Sequence, residues 1–268
     1  MHPMLNIATR AARRAGDLIV RSLDRIAYLA VDSKGRNDFV SEVDHAAERE
    51  IIQILRKAYP NHNFLGEEGG RRGKPDREEY LWIIDPLDGT TNFLHGFPQF
   101  AVSIALKHRG QLEQAVVYDP IRQEMFTASR GRGAALNNRR IRVSSQPALE
   151  GALLGTGFPF KHPEHLSTYL SMFQALFRVC SDIRRAGAAS LDLAYVACGR
   201  LDGFWEIGLK PWDVAAGALL IQEAGGIVSD FTGGDRYFET GNIVAGTPRV
   251  QQAICRTIEP FLSESLRS

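Results

Sequence analysis

The stretch Trp82-Ile83-Ile84-Asp85-Pro86-Leu87-Asp88-Gly89-Thr90-Thr91-Asn92-Phe93 decides how the chain is read. Its apolar opening has the pattern of a strand buried on both faces. Two carboxylates follow, and Pro86 between them lacks a backbone donor, so regular pairing is expected to end there. Gly89 permits a tight turn, and Thr90, Thr91 or Asn92 can cap a following helix. The strand therefore delivers two acidic side chains to its carboxyl end, beside the free N–H groups of a helix start. Carboxylates suit hard cations such as Mg²⁺, and a helix start suits phosphate. A lone Asp after a strand is usually a turn residue or a cap. A second carboxylate three residues on adds only repulsion unless a cation offsets it. The stretch reads as metal-assisted phosphoryl chemistry.

With 32 basic and 31 acidic residues the net charge is only +1, so no global field argues for nucleic acid or membrane as the main partner. Cys180, Cys198 and Cys255 have no Cys-x-x-Cys spacing and read as reduced thiols. Arg10, Arg13 and Arg14 precede no apolar core of a signal peptide, and no apolar run is long enough to cross a bilayer. A cytoplasmic protein is expected. No Walker loop, Gly-x-Gly-x-x-Gly, His-Glu-x-x-His or Gly-x-Ser-x-Gly is present, and no cysteine has the arginine spacing of a cysteine phosphatase.

Outward from the central stretch, helical periodicity predicts helices from Met4 to about Arg25 and from about Glu42 to Tyr59. Lys34 to Asp38 reads as a turn-rich loop, Phe64 and Leu65 as a short strand, and Gly69 to Glu79 as a mobile surface loop. A β meander is expected over Phe100–Lys107, Gln114–Tyr118 and Glu124–Ser129, with a possible edge at Ile141–Val143. Strands and helices then alternate from Ala152 to the end, which argues a layered α/β half. The fold class is thus α/β, with an α+β half over residues 1–146 and a layered α/β half over residues 147–268 packed as one rigid body.

Other candidate residues each have a plain reading beside the chemical one. Asp44, at the start of the second helix, is a favourable charge at the positive end of the dipole. Glu67 and Glu68 form a glycine-bounded acidic pair, as surface loops often carry. Asp213 in Trp212-Asp213-Val214-Ala215-Ala216-Gly217 begins an apolar helix and could simply cap it. Gly187-Ala188-Ala189-Ser190 is a small-residue helix start, suited to packing or to a ligand, and Glu206 closes an aromatic strand.

Taken together, Gly66-Glu67-Glu68, Asp85 to Phe93 and Trp212 to Gly217 resemble the inositol monophosphatase family, in the right order and spacing over nearly the whole chain. Gly155-Thr156-Gly157-Phe158-Pro159-Phe160 is similar to its bacterial SuhB-type branch. The resemblance implies an αβαβα sandwich, a homodimer, and a phosphatase that uses two to three Mg²⁺ ions per subunit and is inhibited by Li⁺. It implies that Glu67, Asp85 and the Leu87 carbonyl hold a first ion, and that Asp85, Asp88 and Asp213 hold a second. A third, weaker ion would lean on Glu67. Thr90, bonded to Asp44, would join Glu67 in deprotonating the attacking water, with no covalent intermediate. The N–H groups of Gly89 and Thr90 would hold phosphate, and Asp88, Gly187, Ala189, Glu206 and Asp213 the hydroxyls of myo-inositol monophosphate. Phe158 stands where animal members place a serine, so a 2'-nucleotide or glycerol phosphate is the alternative substrate. The branch is also associated with transcription antitermination on ribosomal RNA operons. An RNA polymerase complex is then a candidate partner, with Arg71–Lys74, Arg139-Arg140 and Arg184-Arg185 as the available basic patches.

Overall fold

The apolar run before the two aspartates becomes the middle of a sheet. In the computed structural model, which describes residues 2–29, 31–35, 38–73 and 79–267, the chain begins with helix α1 (Pro3–Ser22) and a short hairpin, β1 (Val31–Gly35) and β2 (Asp38–Ser41). Helix α2 (Glu42–Ala58), β3 (Asn63–Gly66), β4 (Gly70–Arg72), β5 (Tyr80–Asp88) and the single-turn α3 (Thr90–Leu94) follow. A meander comes next: β6 (Ala101–His108), β7 (Gln111–Asp119), β8 (Glu124–Ser129), β9 (Gly133–Leu136) and β10 (Arg139–Ile141). Then come β11 (Leu153–Thr156), α4 (Leu166–Phe177), β12 (Asp182–Arg184), α5 (Ala189–Ala197), β13 (Gly203–Glu206) and α6 (Pro211–Glu223). The chain closes with β14 (Ile227–Ser229), α7 (Tyr237–Thr240), β15 (Ile243–Gly246), α8 (Pro248–Ile258) and α9 (Glu264–Arg267).

One sheet has the order β10-β9-β8-β7-β6-β5-β3-β4 and a second the order β12-β11-β13-β15-β14. Side chains alternate across a strand, so β5 sends Trp82 and Ile84 to one face and Leu81 and Ile83 to the other. The first pair joins Ala8, Ala12, Ile19, Ile51 and Leu55 of α1 and α2. The second pair packs with Leu193, Ala215 and Leu219 of α5 and α6. Those two helices also cover the inner face of the second sheet through Phe204 and Ala245. Its outer face, through Leu154, Trp205 and Val244, meets Tyr169, Met172 and Ile254 of α4 and α8. The layers run α, β, α, β, α, as expected. Gly217 lets the middle layer close up, since a Cβ there would lie 2.4 Å from the Leu193 Cβ.

Three expectations change. Lys34 and Asp38 belong to strands of the β1–β2 hairpin, and residues 36 and 37 lie outside the described residues. Gly70–Arg72 is a strand, paired with β3, where a loop was expected; residues 74–78 of that loop lie outside the described residues. Pro86 does not end β5 either. Asp85 pairs with Ser103 and Asp88 with Ala101, so Pro86 and Leu87 together face one residue of β6. That is a bulge, which tolerates proline because the extra residue needs no ladder bond.

Candidate active site

The bulge does the decisive work. In a regular strand residues three apart point to opposite faces. One inserted residue brings Asp85 and Asp88 onto the same side, opposite Ser103 and Ala101, which are themselves two apart. Asp213 arrives from the middle layer at the first turn of α6. The Ser103 hydroxyl, donating to the Trp212 carbonyl at 3.1 Å, ties that helix start to β6. Asp85, Asp88 and Asp213 each offer an oxygen, and these atoms lie within 4.8 Å of one another.

Neighbouring donors hold each carboxylate in place. The Leu87 N–H donates to Asp85 at 3.0 Å, and the Ser190 N–H and hydroxyl both donate to Oδ2 of Asp88. The Lys210 N–H donates to Oδ2 of Asp213 at 2.7 Å. Asp213 therefore closes the N-terminus of its own helix from the third helical position and still faces the cluster. Burial, followed by the charges of Glu67, Asp88 and Asp213, pushes the Asp85 pKa well above the usual carboxylate range. Burial raises Asp88 to about 6 against the lowering effect of its Ser190 bonds. Burial and then Asp88 raise Asp213 to about 7.

Asp44 lies fully buried behind this cluster. Its Oδ2 accepts from the Ser41 N–H and hydroxyl, which closes the N-terminus of α2, and its Oδ1 is 2.9 Å from the Thr90 hydroxyl. That hydroxyl is also 3.0 Å from the Leu87 carbonyl. Gly89 starts α3 at φ +92°, in place of the expected Thr or Asn cap. A Cβ there would lie 2.9 Å from the Gln99 carbonyl, in a backbone region that costs an L-residue about 1–2 kcal/mol. Gly89→Ala is therefore expected to lower the melting temperature by several degrees, read by circular dichroism; an unchanged melt would contradict this geometry.

A cleft of about 370 Å³ opens over the cluster. Glu67, Leu87, Gly89, Thr90, Gly187, Ala189 and Glu206 all line it, with the three aspartates. Glu67 stands outside the 4.8 Å trio but in the same cleft, where its charge raises all three neighbours. Burial, then Asp192, pushes Glu206 well above the usual range. Sequence reasoning placed Arg185 in a surface basic patch with Arg184, whereas it lies over the rings of Phe158 and Phe160 at 5.2 and 5.1 Å on the cleft rim, and it missed Lys161 beside them. It also missed the role of Asn92, whose amide donates to the carbonyls of Gln99, Ala186 and Gly187 and so joins α3 to the loop before α5. Nothing local marks these roles, because Arg185 meets its rings more than twenty positions away and Asn92 reaches Ala186 and Gly187 across 94 and 95 positions.

A sequence model of the inositol monophosphatase family matches residues 1–262. The chain belongs to that family. It is 62% identical over 270 residues to the Nus factor SuhB of Pseudomonas aeruginosa, covering all of both chains. The solved extragenic suppressor protein suhB of Bartonella henselae superposes with a TM-score of 0.93 at 45% identity, over 96% of this chain and 99% of that one. Inositol monophosphatase from Anabaena superposes with a TM-score of 0.86 at 39% identity, over 97% of each chain. Family and fold together support phosphatase activity.

Proposed function

We propose that the chain is a Mg²⁺-dependent phosphate monoester hydrolase releasing phosphate from myo-inositol monophosphates. The observation that carries this reading is the bulge at Pro86–Leu87, which gathers Asp85 and Asp88 with Asp213 beside a fixed hydroxyl. The donors fit a hard cation, being carboxylate and carbonyl oxygens alone. The raised pKa values of the carboxylates, from burial first and then from one another's charge, are those of a cluster without a counter-charge. Glu67, Asp85 and the Leu87 carbonyl would hold one ion, and Asp85, Asp88 and Asp213 another. Bound there, Mg²⁺ supplies a water of lowered pKa and offsets the charge on the phosphoryl oxygens.

The chain's own groups orient the reactants. The Thr90 hydroxyl has one proton and two acceptors in reach, Asp44 and the Leu87 carbonyl. With that proton committed, Thr90 presents only lone pairs to the cleft and can take a hydrogen bond from the attacking water. Asp44 stays in place because Ser41 holds its second oxygen. The N–H groups of Gly89 and Thr90 would receive phosphate. Glu206 and Asp213 would meet ring hydroxyls, while Gly187 and Ala189 leave room for the ring.

Phosphate release from inositol 1-phosphate, 2'-nucleotides and glycerol phosphates, with Mg²⁺ and with EDTA, tests this. Inositol phosphate should give the highest kcat/KM, and EDTA should abolish release. Preference for a 2'-nucleotide would overturn the substrate, and release in EDTA the metal. Thr90→Val should lower kcat about a hundredfold with little change in KM, the scale of a lost proton acceptor. An unchanged kcat would remove Thr90 from the reaction.

The name of the Pseudomonas relative supports a second role, in transcription antitermination with an RNA polymerase complex as partner, and we propose it alongside the first, in a homodimer. Arg71, Arg72, Arg139 and Arg140 are exposed on β4 and β10, the two edges of the large sheet, and Arg184 is exposed beside Asp182. Metal-ligand variants should lose phosphatase activity and keep activity in an antitermination reporter. Loss of both would tie the two roles to one site.

A further inference from the structure

A second pocket, of about 300 Å³, lies between α1 and the β8–β9–β10 end of the large sheet and shares no lining residue with the catalytic cleft. Arg10 and Arg13 project from one face of α1, with Asn6 and Thr9 one turn before them. Thr127 of β8 and Asn138 of the β9–β10 turn form the opposite wall. Among the described residues, none of these six side chains makes a hydrogen bond or an ion pair, and the Thr9 hydroxyl is buried. The neighbouring Asn137 differs. Its amide accepts from the Met125 N–H and donates to the Gln123 carbonyl, which fixes the turn and leaves Asn138 facing the pocket. No carboxylate lines the pocket.

Polar side chains gathered in one cavity normally satisfy each other. Here Thr127 is buried on the pocket wall without a protein partner among the described residues, and the exposed Asn6, Arg10, Arg13 and Asn138 converge on the same cavity, an arrangement suited to an outside partner. The geometry points to a binding site for a small phosphorylated sugar or polyol. The forked donors of Arg10 and Arg13 match phosphate oxygens, which a carboxylate-free wall does not repel. The amides of Asn6 and Asn138 and the hydroxyl of Thr127 match the hydroxyls of a sugar. The volume is at the lower end of small-molecule pockets and fits a ligand of that size.

Calorimetry in EDTA, where the catalytic carboxylates are uncompensated and hydrolysis is stopped, tests this with ribose 5-phosphate, inorganic phosphate and ribose as probes. Wild-type protein should bind ribose 5-phosphate, inorganic phosphate more weakly, and ribose not measurably. The double variant Arg10→Gln, Arg13→Gln should weaken ribose 5-phosphate at least tenfold, with phosphatase activity in Mg²⁺ unchanged. Asn138→Gly keeps the left-handed turn, which has φ +64° at this residue, and should weaken it severalfold. Arg185→Gln, on the catalytic rim, should leave it unaltered. No binding by wild type, equal affinity in the double variant, or loss with Arg185→Gln instead would overturn the site. Tighter binding of inorganic phosphate than of ribose 5-phosphate would overturn its assignment to a sugar-bearing ligand.

Discussion

Asp85→Asn is expected to lower kcat about a thousandfold while the protein still melts cooperatively. Asp85 is the most buried of the three carboxylates and the one whose charge all the others press upon. Asparagine keeps the shape and an oxygen for the Leu87 N–H, so the bulge should survive. The negative charge is lost. Metal stabilisation of a phosphoryl transition state amounts to several kcal/mol, and about 4 kcal/mol corresponds to a thousandfold. The measurement is kcat at saturating Mg²⁺, paired with a melting curve. Substantial activity in a folded variant would remove Asp85 from the shared position.

The metal-free protein is expected to lose stability as pH rises from about 5 to 8. Folding raises the pKa of Asp88 to about 6 and of Asp213 to about 7, with Asp85 also pushed upward. A group whose pKa is higher in the folded state binds its proton more tightly there. Its contribution is full below the unfolded value and is lost as pH passes through the folded value. For Asp88 alone that is on the order of 3 kcal/mol. Glu124, whose pKa Arg200 lowers, acts below this window, and His62, lowered by burial, works weakly in the opposite sense. Melting temperatures across pH in EDTA should therefore fall. With Mg²⁺ the fall should flatten or reverse, because ions displace the protons. A flat curve in EDTA would mean that neither burial nor neighbouring charge disfavours the ionised carboxylates.

The site was legible where its logic is local. A buried strand with two acids, a glycine and two threonines states its chemistry within twelve residues, and the helices of the layers follow from apolar spacing. The way the acids meet was not legible. Pro86 read as an end to pairing, yet β6 supplies a partner on both sides of it, so the strand bulges instead of stopping. Asp44 read as a charge at a helix dipole and Asp213 as a helix cap; both bond the N-cap N–H from the third helical position, but each has a second oxygen whose neighbour comes from another part of the chain. Arg185 read as half of a basic patch and Asn92 as a helix cap, since a cation over two rings and an amide bridging three carbonyls exist only in the folded chain. The strand β4 was hidden by glycine and charge, because an exposed edge strand needs no apolar alternation.

The central claim, that the bulged strand and α6 together make a divalent-metal site, is tested most directly by melting wild type and Asp88→Asn in EDTA and in excess Mg²⁺. A ligand at about 100 times its Kd adds roughly 2.7 kcal/mol to the folded state, a rise of several degrees for a chain this long. Wild type should show that rise. Asp88→Asn should melt higher than wild type in EDTA, because one of the converging charges is gone, and should gain much less from Mg²⁺. Equal Mg²⁺ shifts in the two proteins would contradict the account.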